Sequence, residues 1–151
     1  AVETDRSVRI GQLQLDLRLD RIDQMEDGSQ LVIDYKSGTA TTAGWRLPRL
    51  SDPQLPLYAS TVDNASGIAL MKISEERSTL IGVGEHEIHG LSNSQDFGFE
   101  TFKDLANAWN SYLKDTATSF VNGYAAVDPI DKTICRRCHL QGLCRVFDGN
   151  N

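Results

Sequence analysis

Two carboxylates and one ammonium in this chain have the types and spacing needed to work on a phosphate ester. Asp34 and Lys36 are i and i+2 in Leu31-Val32-Ile33-Asp34-Tyr35-Lys36, so on a strand they project from one face. Asp20 closes the preceding strand-like run and stands opposite them. A phosphodiester is an anion and repels an anionic nucleophile. A divalent metal held by two hard carboxylates neutralises that charge and makes its bound water a better nucleophile. Asp20 and Asp34 are the candidates for holding it, and the Tyr35 backbone carbonyl can add an oxygen ligand. Lys36 on the same face would orient the attacking water or stabilise the developing negative charge. Oxygen-only ligation favours Mg²⁺ or Mn²⁺ over zinc. The competing reading of Asp20, Asp34 and Lys36 is a strand-end salt bridge. Asp23, three residues from Asp20, falls on the opposite strand face and reads as structural.

These residues need a hairpin to bring them together. Leu13, Leu15, Leu17 and Leu19 alternate with Gln14, Asp16, Arg18 and Asp20, the period of a half-buried strand. Glu26-Asp27-Gly28-Ser29 supplies turn chemistry, and Leu31-Val32-Ile33 opens a second, β-branched strand. Before them, Glu3 to Leu13 reads as a strand entering the long one through a bend at Gly11.

The stretch from Thr39 to Ser51 is a loop carrying Trp45, Arg46 and Arg49. An exposed aromatic flanked by arginines would stack on or clamp a nucleic-acid strand, and the alternative for Trp45 is a loop anchor packed on the core. Asp52-Pro53 starts a helix that is expected to run to about Val62, with Asp52 as cap. Gln54 and Tyr58, i and i+4, share one face of it and would position the site or the DNA. Gly67–Ser74 and Ser78–Gly84 read as a hairpin. Residues 85–96 read as a polar loop whose His86 and His89 are surface histidines before they are a metal pair. From Gly98 the period becomes 3.6: Phe99, Phe102, Leu105, Ala106, Trp109, Tyr112, Leu113, Phe120 and Val121 form one stripe, ending at Gly123.

At 151 residues the chain suits one domain, divided here into a core over 1–127 and a cysteine-bearing tail over 128–151. No apolar run approaches the roughly 20 residues that span a bilayer. The net charge of −6 argues against coating nucleic acid through bulk charge, but not against a cleft using local cations and metal. Three cysteines, Cys135, Cys138 and Cys144, are too few and too clustered for a disulfide framework, which points to a reducing, cytoplasmic setting. Cys-x2-Cys also fits a zinc knuckle, although the set is one ligand short and His139 is poorly placed beside Cys138. The chain opens at Ala1 directly into strand-like sequence, so a piece of a longer protein is expected.

Leu19-Asp20-Arg21-Ile22-Asp23, Ile33-Asp34-Tyr35-Lys36-Ser37-Gly38, Gln54-Leu-Pro-Leu-Tyr58 and the Cys-x2-Cys-x5-Cys tail together resemble the PD-(D/E)XK nuclease superfamily. Its RecB and AddB type nuclease domains are the most similar branch. The resemblance runs from about Glu3 to Arg145. It implies an α/β fold, a mixed central sheet flanked by helices in a restriction-endonuclease-like core, here lacking the family's first helix. It implies Asp20 and Asp34 as metal ligands and Gln54 to Tyr58 as the following helix motif. The implied activity is Mg²⁺- or Mn²⁺-dependent DNA hydrolysis, exonucleolytic, within a DNA repair and recombination protein that has a helicase domain or subunit as partner. The cysteines match the C-terminal part of a [4Fe–4S] pattern whose fourth ligand lies upstream. A cluster is therefore expected in the complete protein and not in this piece. The alternative is an inactive nuclease fold binding DNA ends or a helicase. The intact Asp20, Asp34 and Lys36 favour the enzyme.

Overall fold

A computed structural model describes residues 3–75 and 77–147. β1 (Thr4–Ile10) and β2 (Leu13–Leu19) form an antiparallel two-stranded sheet, with Ile10 opposite Leu13 across a two-residue turn. Gly11 occupies that turn at φ +59°, a region L side chains rarely adopt, so the expected bend is a tight reversal. Asp5, Ser7 and Arg9 point outward opposite Arg18, Asp16 and Gln14, while Val8, Ile10 and the four leucines of β2 turn inward.

The single long strand expected from Leu13 onward is broken at Asp20. β3 (Arg21–Gln24) leaves the hairpin and pairs antiparallel with β4 (Gln30–Lys36) in a separate five-stranded sheet. The cause is a slip in the apolar phase. Leu19 and Ile22, three apart, both face the main core, which an unbroken period of two forbids. β4 continues parallel to β5 (Ala65–Ile73), which pairs antiparallel with β6 (Ser78–Gly84). The polar loop expected over 85–96 contains a further short strand, β7 (Leu91–Ser92), parallel to β6. Gly90 permits it: a Cβ there would lie 1.9 Å from the Leu80 carbonyl oxygen. The sheet, ordered β3-β4-β5-β6-β7, is mixed, and with its helices it is the α/β architecture expected.

α1 (Gln54–Ala59) lies in the crossover between the parallel strands β4 and β5, and α2 (Phe102–Val121) packs beside it. Asp52 does not cap α1. Pro53 takes the N-cap position with no side-chain cap, and the helix ends at Ala59, where the Ser60 and Thr61 hydroxyls donate back to the Leu57 and Tyr58 carbonyls. Thr101 caps α2, its hydroxyl oxygen accepting from the Asp104 N–H. Such a cap contributes about 1 kcal/mol, against about 1.5–3 kcal/mol for each fully buried Leu or Phe, so packing holds the helix more than capping does.

One sheet face, with Val32, Ile68, Leu70 and Val83, meets Leu55, Tyr58, Ala59, Phe102, Leu105, Trp109 and Trp45 in the main core. The other face carries a smaller cluster of Leu31, Ile33 and Ala69, with Met25, Met71, Leu80, Ile88 and Leu91 around it. Phe120 and Val121 are corrections to the expected α2 stripe: the helix outruns the core, and both are exposed. The tail has two short helical turns, α3 (Lys132–Cys135) and α4 (Gln141–Cys144). No helix among the described residues is long and apolar enough to cross a membrane.

Candidate active site

The last residues of β4 reach past the end of β3. Pairing between the two starts at Arg21 opposite Ile33, so the β3-side edge of Tyr35 has no strand partner. Asp20, at the bend between the two sheets, fills that gap: its Oδ2 accepts the Tyr35 N–H at 3.0 Å. The sheet break missed in the sequence is therefore what turns the Asp20 carboxylate toward β4.

Asp34 and Lys36 share the sheet face that also carries Val32, under α1. Asp34 is 3% exposed. Lys36 Nζ stands 2.8 Å from Asp34 Oδ2 and donates to Gln54 Oε1 at 3.1 Å. Gln54 Nε2 in turn donates to Asp34 Oδ1 at 3.0 Å and to the Tyr58 hydroxyl oxygen at 3.1 Å. The Tyr58 hydroxyl donates to the Arg18 carbonyl at 2.9 Å, tying α1 to the end of β2. One glutamine amide thus holds the carboxylate with its N–H₂ and the ammonium with its oxygen. The i, i+4 spacing of Gln54 and Tyr58 made the pair legible beforehand.

The electrostatics of Asp34 are those of a carboxylate short of compensation. Burial pushes its pKa above the usual value, Lys36 pulls it down, and neighbouring Asp20 pushes it up again, with burial the largest effect. Lys36 is held above its ordinary value, chiefly by its contact with Asp34, and nearby Asp52 and Asp20 add to that. Asp34 Oδ2 touches the ammonium, yet is buried without a well-aligned hydrogen bond. A buried, under-satisfied carboxylate oxygen beside a second carboxylate, in an all-oxygen donor set, fits a hard divalent cation. Among the described residues no third His, Cys, Asp or Glu joins them.

The neighbouring loop is different from the expected nucleic-acid clamp. Trp45 is fully buried in the main core and its carbonyl accepts from Trp109 Nε1 at 2.7 Å, so its ring cannot stack on a strand. It is a loop anchor. Arg46 is exposed, donates to the Asp96 carbonyl at 2.6 Å and lies over the Phe97 ring at 4.5 Å. Arg49 donates to the Asp128 carboxylate at 2.9 Å and to its carbonyl. Asp23 is bound to Arg21 at 2.6 and 2.7 Å, and Arg21 also reaches the Tyr35 hydroxyl.

His86 Nε2 lies 2.8 Å from Ser29 Oγ, which donates to Ser66 Oγ, while His89 is exposed. Cys135, Cys138 and Cys144 are free thiols. They do not gather into one ligand set, so the arrangement as it stands does not fit a cluster or a zinc site.

The family model of the PD-(D/E)XK nuclease superfamily matches residues 1–145. No curated protein matches the chain. A solved structure titled "Crystal structure of SSO0001" is similar, with 18% identity and a TM-score of 0.48. The match covers 95% of this chain and 58% of that one, so the chain spans less than two thirds of that structure.

Proposed function

The chain belongs to the PD-(D/E)XK nuclease superfamily, and from that premise we propose that Asp20, Asp34 and Lys36 form a metal-dependent centre hydrolysing DNA phosphodiesters. The observation that carries it is the convergence of these three at the end of β4, with Gln54 bound to two of them. Members of this superfamily generally use divalent metals such as Mg²⁺. Bound between Asp20 and Asp34, Mg²⁺ or Mn²⁺ would neutralise phosphate charge and acidify the attacking water.

The chain's own part is positioning. Tyr35 N–H holds Asp20 in place, and within a strand the carbonyl of a residue faces the same edge as its N–H, which supports Tyr35 as a further oxygen donor. Gln54 holds Asp34 and Lys36 in register with one another. An ammonium has three donors; Asp34 and Gln54 engage two directions, leaving a third for a phosphoryl oxygen or the attacking water.

The finer reading is an exonuclease domain of RecB/AddB type in a DNA repair and recombination protein acting with a helicase. The motif set Asp20, Asp34-Tyr35-Lys36 and Gln54 to Tyr58 supports it. A [4Fe–4S] cluster in a longer protein would need Cys135, Cys138 and Cys144 drawn together with a fourth ligand.

The test is degradation of end-labelled and circular DNA with Mg²⁺, Mn²⁺ or chelator, by wild type and Asp34→Asn. Mg²⁺-dependent loss of linear but not circular DNA is the expected result. Folded wild type that binds Mg²⁺ and cleaves neither would favour the inactive DNA-binding module.

A further inference from the structure

The acidic body of the chain cannot draw a polyanion to its active site through bulk charge, so a local cationic surface has to be found. Residues 131–147 hold four cations, Lys132, Arg136, Arg137 and Arg145, and one carboxylate, Asp131, for a net +3. The rest of the sequence carries 11 cations against 20 carboxylates, a net −9. The sign of the charge therefore reverses within one short stretch.

Three of the four cations, Lys132, Arg136 and Arg137, are not consumed within the stretch. Asp131 is taken up as the N-cap of α3, accepting from the Thr133 N–H at 2.8 Å and the Thr133 hydroxyl at 2.6 Å. Elsewhere, Arg18, Arg21, Lys36 and Arg49 are in ion pairs. The side chains of Lys132, Arg136 and Arg137 make no hydrogen bond or ion pair among the described residues. Lys132 and Arg136 are i and i+4 along the α3 turn, which backbone bonds from Arg136 and Arg137 extend by a residue or two. Like charges at that spacing destabilise a helical turn unless an anion lies against them. The stretch is also tied to the loop that joins Lys36 to Gln54: Arg49 on that loop holds Asp128, three residues before it starts.

We propose that residues 131–147 are a phosphate-backbone grip for the DNA substrate, with Lys132, Arg136 and Arg137 as its contacts. The proposal rests on the nuclease reading above. The exposed Ile134, Leu140 and Leu143 between the cations suit packing on the sugars rather than burial in this chain.

The experiment measures binding of a labelled duplex oligonucleotide in chelator across a salt series, with thiols kept reduced. It compares wild type, K132Q/R136Q/R137Q and the conservative R136K/R137K. Each phosphate contact contributes about −0.9 to the slope of log affinity against log salt, so the triple variant should lose about 2–3 of the slope while R136K/R137K keeps it. Mg²⁺-dependent hydrolysis of bis(p-nitrophenyl) phosphate, too small to reach the tail, should be equal in wild type and the triple variant. If wild type does not hydrolyse it, the nuclease reading fails and the salt slopes still judge the grip. An unchanged slope in the triple variant, or no salt-dependent binding by wild type, overturns the proposal.

Discussion

Asp20 and Tyr35, fifteen residues apart, are joined by one hydrogen bond from the Tyr35 N–H to the Asp20 carboxylate at 3.0 Å. A side chain here continues the ladder that β3 abandons at Arg21. The Asp20 carboxylate is thereby oriented by the backbone of the strand that carries Asp34 and Lys36. Asp20→Ala should remove metal-dependent activity and leave the fold intact, since the sheet closes without it. Unchanged Mg²⁺ activation in that variant would exclude Asp20 as a ligand.

Asp34→Asn and Lys36→Ala should each lower DNA hydrolysis sharply. Loss of one electrostatic stabiliser of this kind costs about 10²–10³ in rate. Activity within about tenfold of wild type, about 1.4 kcal/mol of barrier, would remove either residue from the catalytic assignment.

Without metal, the buried Asp34 costs stability once it ionises. Its pKa is raised above the ordinary 3.8, so the native state keeps the proton longer than the unfolded one. Stability should fall as pH rises from about 3.8 through the raised value, and Asp34→Asn should flatten that limb of urea midpoints measured in chelator. Lys36, also raised, contributes fully below its ordinary 10.5 and loses its contribution only at more alkaline pH.

Adding Mg²⁺ at neutral pH should reverse the cost of ionised Asp34. At a hundredfold excess over Kd, binding contributes about 2.7 kcal/mol, or about 5–10 °C in Tm for a chain of this size. Scanning calorimetry should show the gain in wild type and not in Asp20→Ala. Equal gains in both would place the ion elsewhere.

Trp45→Ala should cost about 3–5 kcal/mol as a core truncation. The milder Trp45→Phe should stay folded and bind DNA with unchanged affinity at fixed salt, since a ring buried in the core stacks on no base. A clear loss of affinity in folded Trp45→Phe would return the residue to the DNA path.

The site was more legible in sequence than the frame that builds it. Asp34 and Lys36 fall on one face because a strand has period two, and Gln54 meets Tyr58 because a helix repeats near four; both are local rules. The break at Asp20 required noticing that Leu19 and Ile22 are out of phase, a signal three residues long inside an otherwise regular alternation. Trp45 was ambiguous because a tryptophan between glycine and arginine reads alike on a surface and in a core; its partner, Trp109, is 64 residues away. Phe120 and Val121 kept the α2 period after the core had ended, which a periodicity cannot report. Asp52 has the right residue type for a cap, but Pro53 takes the N-cap position in its place.

The order β3-β4-β5-β6-β7 puts the four- and two-residue strands on the outside of the large sheet and the seven- to nine-residue strands within it. A free strand edge recruits other chains in proportion to the length of backbone it offers, and very short outer strands offer little. The longer open edges belong to β1 and β2, whose outward side chains include Asp5 and Arg9 on one strand and Asp16 and Arg18 on the other. A second copy laid against that hairpin would meet one carboxylate and one guanidinium on the outward face of either strand. The strand lengths and this charge pattern together therefore oppose edge-to-edge fibrous association.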